Sequence, residues 1–419
     1  MRRRVVVTGM GVLAPNGNGI TAFRDALFSG KSGIGPITRF DSSFLDVKIA
    51  GEVKGFDAAD YMPIAIARKT DRFSQLGVAT AKMALEDARL SLEDPDIKKA
   101  AIIIGSGLGG QNFHEEMMYA VLETSNPKKV AASSVPRITP NAVSAYIAFQ
   151  FKIKGPNQVI STACSSSAQA IGEAFHKVRY GEMNIAITGG VEATITLVNM
   201  ALYQAMMVLG SPINGNPETA SRPFDKTRNG FVMGEGAACL ILEEMNRAIA
   251  RGAHIYAEVV GFGSNCGAYH MVSPDPSGDD AKAAMKVALA DSELDETMVD
   301  YISAHGTSTK LNDLAETRAI KALLGVRAYK VPVSSIKSMI GHTIGAAGAI
   351  QAVSCCLALE HGIIPPTTNL NNPDEECDLD YVPNKSRKKE IDVVISNSFG
   401  FGSNNAALVF KKFRDSKID

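Results

Sequence analysis

Short apolar runs alternate with helix-like patterns along most of the chain. Runs typical of buried strands lie at residues 4–8, 100–104, 158–161, 185–188, 237–242, 256–262, 301–303, 331–334 and 393–396. Between most of these runs, apolar residues recur at the spacing of a helix with one buried face. The alternation predicts an α/β protein with buried sheets, and no low-complexity segment or run of like charge marks a linker.

The run at 158–161 ends just before a cysteine, Cys164. Apolar residues then follow in steps of four and three, which predicts a helix with one buried face, at Ala168, Ile171, Phe175 and Val178. The serines at 165–167 are expected to cap its first turn. A cysteine at a helix N-terminus feels the positive end of the helix dipole, which favours the reactive thiolate. Cys164 is therefore a candidate nucleophile, although a small buried cysteine would give the same local pattern.

Two later apolar runs also end at reactive side chains. His305 follows the run at 301–303, and Lys337 and His342 lie five residues apart in a glycine-bounded turn after the run at 331–334. Groups at strand and loop ends can converge on one pocket, so these residues and Cys164 are candidates for a single site. A lone histidine at a strand end is more often structural, and the residues alone leave both interpretations open.

Composition limits the classes of protein that fit. The 419 residues are 45% hydrophobic and 21% charged, as in an ordinary globular protein, and the net charge of −1 argues against a general nucleic-acid binder. The cysteines at 164, 239, 266, 355, 356 and 377 show neither disulfide nor zinc spacing. The apolar run after the first arginines is too short for a signal peptide or membrane span, so we expect a cytoplasmic protein without membrane contact.

One glycine motif points to a different function. Residues 9–14 read G-M-G-V-L-A and match the dinucleotide-binding pattern G-x-G-x-x-A after a strand. A genuine fingerprint opens directly into a helix whose N-terminus binds pyrophosphate. Here Pro15 and the residues up to Gly19 follow, which predicts a loop. We therefore expect no nucleotide at this position.

Taken together, these segments resemble the type II, decarboxylating β-ketoacyl-acyl-carrier-protein synthases, which are Cys-His-His condensing enzymes. Further matching segments are VVVTGMG (5–11), GPN (155–157), SRPFD (221–225), GFVMGEG (230–236), AYHM (268–271) and NSFGFG (397–402). No single motif is decisive. Their order and spacing over nearly the whole chain are specific to this family.

The resemblance implies the thiolase fold, an α/β fold of two similar halves in five layers, α-β-α-β-α. Residues 1–255 would form the half that carries Cys164, and residues 256–419 the half that carries His305, Lys337 and His342. The site would then lie at the seam between the halves. The resemblance also implies a dimer, either a homodimer or a heterodimer with a chain-length factor.

The resemblance assigns a role to each candidate side chain. Cys164 would accept the acyl chain from acyl carrier protein, with the N–H groups of Cys164 and Phe401 as oxyanion hole. His305 and His342 would stabilise the enolate formed when malonyl-carrier protein loses carbon dioxide. Lys337 would hold His342 and nearby polar groups, Glu316 among them. Further support of the site is expected from Asp313, Thr307 and Thr309.

Other residues are expected to shape substrate access. Phe399 and Phe401, in a glycine-rich loop, would gate the acyl pocket, and Leu108 would limit chain length. Because carrier proteins are acidic, the entrance should be basic, and the clusters we expect to dock the carrier are Arg68, Lys69 and Arg72 together with Lys128 and Lys129. No metal and no cofactor is expected beyond the phosphopantetheine arm of the carrier.

Two departures from the fatty-acid pattern keep a second reading open. Lys310 stands where fatty-acid enzymes usually have proline, as in the ketosynthase subunits of type II polyketide systems, and Gly402-Ser403-Asn404-Asn405 replaces the usual Gly-Gly-Thr-Asn. The residues around Cys164 look like the fatty-acid form instead. We favour fatty-acid-type elongation, with a polyketide ketosynthase that works with a chain-length factor as the alternative.

Four related classes fit less well. A non-catalytic chain-length factor would lack the active cysteine, which is present here as Cys164. A biosynthetic thiolase would need a second reactive cysteine near the C-terminus, and type III condensing enzymes have asparagine where this chain has His342. A cysteine hydrolase would need neither the paired lysine nor a carrier-docking surface.

Overall fold

The computed structural model describes residues 2–414. Its strands, β1 to β15 in chain order, are Val5–Ala14, Gly17–Asn18, Ile34–Pro36, Ile49–Gly51, Ala101–Gly105, Asn157–Ile160, Ile185–Glu192, Gly236–Glu244, Ala257–Cys266, Tyr301–Ser303, Val333–Ser334, Ile363–Ile364, Arg387–Lys388, Val393–Gly400 and Asn404–Lys411. Its α-helices, α1 to α14, are Ile20–Ser29, Ile64–Ala67, Arg72–Asp87, Pro95–Lys98, Gln111–Thr124, Val135–Ile138, Ala142–Phe151, Ser166–Arg179, Leu197–Ala205, Met245–Ala250, Asp279–Ser292, Lys310–Leu324, Lys337–Ile340 and Ala347–His361.

The main sheet contains the same arrangement of five strands twice. Its order is β11-β10-β14-β15-β9-β1-β8-β7-β5-β6, with β2 attached to β1. When the five main strands of each half are numbered along the chain, both halves run 3-2-4-5-1. The pairs β5–β6 and β5–β7 are parallel, as are β10–β11 and β10–β14, and the remaining pairs are antiparallel. The two halves therefore share one topology and join where β1 pairs with β9.

Helices cover both faces of each half-sheet. α3 packs on β1 and β8 on one outside face, and α11 packs on β9 and β15 on the other. Between the half-sheets lie α8, against β5 and β7, and α14, against β14 and β8, in contact with each other. The order of layers is α-β-α-β-α, which confirms the predicted thiolase-like architecture.

The central layer is the most deeply buried part of the fold. The predicted apolar face of α8 is confirmed, since Ala168, Ile171, Phe175 and Val178 are all buried. Burying a large apolar side chain contributes roughly 1.5–3 kcal/mol. Residues 344–361, which include α14, are long and apolar enough to cross a membrane by length and composition alone, but 89% of this window is buried inside the protein. The hydropathy of α14 thus reflects its place between the two half-sheets.

The predicted strands all occur, with shifted ends. β1 extends through residues 9–14, so the glycine motif that resembles a dinucleotide fingerprint lies inside a strand and not at a helix N-terminus. The run at 331–334 shortens to Val333–Ser334 in β11. No predicted strand covers β15, although the apolar run at 406–410 was a visible signal for it.

The parallel strands explain where functional groups gather. The turns at 163–165 and 344–346, which lead into α8 and α14, contact each other, and they also contact β14 and β7 of the opposite half, respectively. Loops at the carboxyl ends of parallel strands are the usual place for active sites in α/β sheets. The segments that carry Cys164, His305 and His342 all follow such strand ends.

Candidate active site

Cys164 lies in a tight turn between β6 and α8. A single 3-10 turn, Ala163–Ser165, precedes the helix, and Ala163 has a left-handed φ of 52°. Left-handed backbone at a residue other than glycine is strained and persists only where its surroundings hold it. The side chain of Cys164 is 5% exposed. The turn therefore presents the sulfur to an enclosed space.

The serines after Cys164 do not cap α8, contrary to the sequence-based expectation. The helix begins without a side-chain cap. Ser166 instead donates to the carbonyl of Ala163 at 2.6 Å and accepts from the N–H of Thr162 at 2.9 Å. Ser167 accepts from the N–H of Ala349 at 2.9 Å, which links α8 to α14. These bonds stabilise the strained turn and the contact between α8 and α14. None of them caps the N-terminus of α8.

His305 is held by a buried carboxylate. His305 follows β10, and its backbone N–H donates to one carboxylate oxygen of Glu316 at 2.8 Å. The backbone N–H of Gly306 donates to the other oxygen of Glu316 at 2.8 Å. Asp313, on the same helix α12, accepts from the N–H of Ser308 at 3.2 Å. Burial raises the pKa of both carboxyl groups, against the lowering effect of these donors. Both residues are placed to support the His305 loop.

His342 follows α13 and Gly341, whose φ is 70°. Its backbone N–H donates to the carbonyl of Val232 at 2.7 Å, and its carbonyl accepts from the N–H of Gly234 at 2.9 Å. These bonds fix the histidine against the segment at 231–234. The ring of Phe231 meets the His342 imidazole edge-on, with the centroids 5.2 Å apart.

The three reactive groups meet at one point. The sulfur of Cys164 and one ring nitrogen each of His305 and His342 all lie within 4.8 Å of one another. The two imidazole rings are nearly perpendicular, at 85°, with centroids 5.3 Å apart. The Nδ1 atoms of both are buried and have no hydrogen-bond partner among the described residues.

The resting state of Cys164 differs from the sequence-based expectation. Burial raises the pKa of the Cys164 thiol to about 12, although the charge of Lys337 and the N–H groups of Phe401 and of Cys164 itself act in the opposite direction. The prediction of a thiolate is therefore wrong for the free enzyme, because desolvation of the sulfur raises the pKa of the thiol more than the helix N-terminus lowers it. A base must take the thiol proton during reaction.

The two histidines are suited to that task. Burial, together with the charge of Lys337, lowers the pKa of both His305 and His342 well below the ordinary value, so both are neutral at pH 7. A neutral imidazole has one lone pair that accepts a proton and one N–H that donates a hydrogen bond. Each ring can therefore act as a base or as a hydrogen-bond donor.

Lys337 lies behind the cavity, and its hydrogen-bond partner was not predicted. The ammonium donates to the side-chain oxygen of Gln351 at 2.6 Å, and among the described residues it forms no hydrogen bond with His342 or Glu316. The amide nitrogen of Gln351 donates to the carbonyls of Ala304 at 3.2 Å and Asn397 at 3.1 Å. Burial lowers the pKa of Lys337 to about 8, while the charge of Glu316 raises it. Lys337 thus interacts with Glu316 electrostatically and not through a direct hydrogen bond.

A cavity of about 420 Å³ opens onto the three reactive groups. Phe399 and Phe401 line it, and both are half-buried, as a gate would be. Gly400, between them, packs against the nucleophile turn: a Cβ there would lie 2.6 Å from the carbonyl oxygen of Thr162. Thr307 and Thr309 also line the cavity and hydrogen-bond each other at 2.9 Å.

Leu108 does not line this cavity. It is 37% exposed, and its N–H donates to Glu192 at 3.2 Å. The expectation that it faces the acyl pocket is therefore not met within one chain, because the residue is partly exposed and is not part of the cavity lining. Its influence on chain length stays a prediction.

The predicted docking cations divide into two groups. Arg68, Lys69, Lys128 and Lys129 are exposed. Arg72 differs, because its side chain is 15% exposed and forms a two-pronged ion pair with the buried Glu235, at 2.8 and 2.6 Å. A cation that neutralises a buried carboxylate is not available to a partner. The prediction for Arg72 is therefore wrong, since its charge holds the fold.

Two residues near the site were missed by the sequence analysis. Gln351 is a buried amide within the apolar helix α14, and that isolated polar position was the available signal. Glu192 is a buried carboxylate at the end of β7, directly after an apolar run. Neither can be assigned from the chain alone, because their partners come from distant segments.

Comparisons with known proteins agree with this geometry. Residues 2–248 match the beta-ketoacyl synthase N-terminal domain, and residues 256–371 match the C-terminal domain of the same family. The chain is 46% identical over 413 residues to 3-oxoacyl-[acyl-carrier-protein] synthase 2 of Synechocystis sp., covering 99% of both chains. It is 45% identical over 414 residues to the protein of the same name from Coxiella burnetii, covering 99% of this chain and 100% of that one.

Solved structures give the same result. The ishigamide ketosynthase/chain length factor superposes with a TM-score of 0.93 at 35% identity, covering 99% of this chain and 100% of that one. A type II polyketide ketosynthase, bound to a hexaketide and in complex with its acyl-carrier protein, has a TM-score of 0.91 at 32% identity, with the same coverage. The chain belongs to the β-ketoacyl synthase family.

Proposed function

We propose that this protein is a 3-oxoacyl-acyl-carrier-protein synthase of fatty-acid-type elongation. It would condense a cysteine-bound acyl chain with malonyl-carrier protein to give 3-oxoacyl-carrier protein and carbon dioxide. One observation carries the proposal: Cys164, His305 and His342 meet within 4.8 Å at a cavity built from both halves. The identity of 45–46% to synthases of this name over the full chain supports it.

In the first step, Cys164 takes the acyl group from the carrier. A neutral imidazole accepts the thiol proton, the sulfur bonds to the thioester carbon, and the carrier thiol leaves with a proton. In this scheme the N–H groups of Phe401 and Cys164, which both lower the pKa of the thiol, would stabilise the oxyanion. Losing one such donor in other enzymes costs roughly 3 kcal/mol.

In the second step, malonyl-carrier protein loses carbon dioxide. The bond between the carboxylate and the α-carbon breaks, and its electron pair forms an enolate whose oxygen accepts hydrogen bonds from His305 and His342. The enolate carbon then attacks the acyl carbon, the bond from that carbon to the Cys164 sulfur breaks, and the sulfur takes up a proton from solvent, because its original proton left with the carrier thiol. Because decarboxylation supplies the carbanion, the scheme calls for no metal and no cofactor besides the carrier arm.

The partner in this scheme is an acyl carrier protein. The exposed cations Arg68, Lys69, Lys128 and Lys129 supply the positive charge that an acidic carrier would meet. Thr307 and Thr309, on the cavity wall, offer hydroxyl groups to an arm that enters toward Cys164. We also propose a cytoplasmic location, where the reactive thiol would stay reduced.

We further propose a homodimer. β6 forms one end of the main sheet and is partly exposed, so a second copy could extend the sheet there. Large apolar side chains stand exposed on α9 and just after it, with Leu202 58% and Met207 88% exposed. Exposed apolar groups of this size commonly mark an interface. A chain-length factor in place of the second copy is the alternative.

One observation at the cavity supports the alternative function, that of a ketosynthase of a type II polyketide system. Lys310, the residue that resembles polyketide ketosynthases, is exposed and lines the cavity. The ishigamide ketosynthase/chain length factor and a type II polyketide ketosynthase also superpose closely, but at 32–35% identity. The higher identity to the fatty-acid-type relatives favours elongation of saturated chains.

The test is a reaction of the purified protein alone with a panel of acyl-carrier proteins and malonyl-carrier protein, followed by intact mass. We expect extension of saturated acyl chains by two carbons, abolished by Cys164→Ala and retained in the control Cys239→Ala, whose thiol is buried outside the cavity. Repeated extension without reduction, or activity only with an added subunit, would favour the polyketide function. An enzyme that never acylates Cys164 would refute both.

A further inference from the structure

Glu192 is a buried carboxylate behind the wall of the catalytic cavity. It ends β7, is 0% exposed and does not line the cavity itself. One oxygen accepts hydrogen bonds from the N–H groups of Gly107, at 2.7 Å, and Gly345, at 3.1 Å. The other oxygen accepts a hydrogen bond from the N–H of Leu108, at 3.2 Å. Gly107 belongs to the first half of the fold and Gly345 to the second, so one carboxylate bridges the seam.

The surrounding backbone is shaped around this carboxylate. A Cβ at Gly107 would lie 2.7 Å from a carboxylate oxygen of Glu192, and a Cβ at Gly345 would lie 2.6 Å from the same oxygen. Real Cβ atoms do not approach so closely, so only glycine leaves room for the carboxylate at both positions. The contact is therefore built by two chain segments and not by chance orientation of one side chain.

The residue that this contact holds is strained. Ile344, directly before Gly345, has a left-handed φ of 43°, which is a genuine outlier for a β-branched residue. Such a conformation persists only when the surrounding structure holds it. Ile344 lines the cavity beside Cys164 and lies two residues after His342. The bond from Gly345 to Glu192 is thus the anchor next to the strained residue.

We propose that Glu192 is a positioning residue for the condensation: by holding Gly107 and Gly345 together, it keeps the strained turn at Ile344, and with it the imidazole of His342, in place beside Cys164. The inference rests on the proposed function, since it concerns the same cavity. Glu192 touches neither the sulfur nor the imidazoles, so it acts through the backbone and through its charge.

The charge of Glu192 provides an independent readout. Burial raises the pKa of Glu192 to about 7, against the lowering effect of its three N–H donors, so a large share is ionised at pH 8. Among the described residues, Cys164 and Tyr203 are ionisable groups whose pKa this charge raises. Removing the charge should therefore make the Cys164 thiol easier to ionise, even while the turn at Ile344 relaxes.

The experiment compares Glu192→Gln with wild type in two assays. We expect condensation to slow by about tenfold or more, because the catalytic geometry is loosened. Alkylation of Cys164 by iodoacetamide at pH 8 should become faster by about threefold, because a negative charge beside the thiol is gone. A loosened turn also exposes the sulfur, so the rate is compared with that of Gly107→Ala, which displaces the carboxylate but keeps its charge: faster alkylation in Glu192→Gln than in Gly107→Ala reports the lost charge. Unchanged condensation, or a thiol that reacts no faster, would overturn the proposal.

Two further variants keep the test decisive. Glu52→Gln is the matched control: Glu52 is also buried and accepts N–H groups, of Thr38 and Arg39, outside the cavity, and neither rate should change. If Glu192→Gln does not fold, Gly107→Ala displaces the carboxylate and keeps its charge. It should slow condensation without speeding alkylation, and wild-type condensation would overturn the proposal. Wild type that forms no 3-oxoacyl product would instead refute the proposed function.

Discussion

The ammonium of Lys337 donates a hydrogen bond of 2.6 Å to the side-chain oxygen of Gln351, and both side chains are buried. The amide of Gln351 also binds the carbonyls of Ala304 and Asn397, which lie just before His305 and the gate loop. One glutamine therefore ties the lysine to two of the strand ends that form the site. Its side chain is neutral, so the charge of Lys337 is not cancelled by its nearest partner.

This relationship predicts a pH effect. Burial lowers the pKa of Lys337 to about 8, so its charge, which favours the Cys164 thiolate, is lost as the pH rises above that value. We expect kcat to fall on the alkaline side near pH 8. In Gln351→Glu, a carboxylate beside the ammonium should raise the pH at which kcat falls by about one unit or more. Measurement of kcat against pH checks this, and an unchanged pH of the fall would show that Lys337 does not cause it.

Stability should respond to the same lysine. The pKa of Lys337 is lowered from 10.5 to about 8 in the folded protein, so between these values the unfolded chain binds more protons and stability rises with pH. Below pH 8 the fold carries a buried ammonium. We expect Lys337→Met to raise Tm at pH 7 by several degrees and to abolish condensation. Melting curves at pH 7 and pH 10 test this, and a lower Tm for the variant at pH 7 would contradict it.

The gate loop depends on one glycine for close approach to the nucleophile turn. A Cβ at Gly400 would lie 2.6 Å from the carbonyl oxygen of Thr162 and 3.1 Å from the backbone nitrogen of Cys164, while its φ of −114° suits any residue. Gly400→Ala should therefore push the N–H of Phe401 away from the sulfur and lower kcat/KM by about tenfold or more. The matched control is Gly35→Ala, where a Cβ meets nothing within 4 Å. Equal activity of the two variants would argue against this contact.

Charge reversal should separate docking cations from structural ones. Arg68→Glu with Lys69→Glu should raise KM for the carrier protein, more strongly at low salt, because these side chains are exposed and the carrier is acidic. Arg72→Gln should instead lower stability by about 3–5 kcal/mol, because it leaves the buried Glu235 without its partner. Carrier titrations at two salt concentrations and denaturant melts distinguish the effects. A salt-dependent KM change in Arg72→Gln at wild-type stability would reverse our assignment.

Much of the fold could be predicted from local pattern. The apolar runs located the main strands other than β15, and the spacing after Cys164 located the buried face of α8. Strand and helix periodicity are properties of neighbouring residues, so they are readable along the chain. The reactive side chains were also found in this way, because each one follows an apolar run.

The remainder depended on contacts between distant segments. Arg72 looked like a surface cation until its pair with Glu235, 163 residues away, was known. Glu192 gained a role only through Gly345, 153 residues away. Residues 165–167 looked like helix caps, yet Ser167 binds the opposite helix, 182 residues along the chain. None of these pairings leaves a spacing signal in one sequence.

By itself, the sequence determined the order of strands and helices, the reactive residues and, through its motifs, the family. Only the tertiary structure decided which groups are charged and which partners hold them. The thiol of Cys164 is the clearest case: its place before a helix favours the thiolate, but burial raises its pKa to about 12. The reason is physical, since desolvation and buried hydrogen bonds depend on what packs around a group in space, whereas periodicity depends only on its neighbours in the chain.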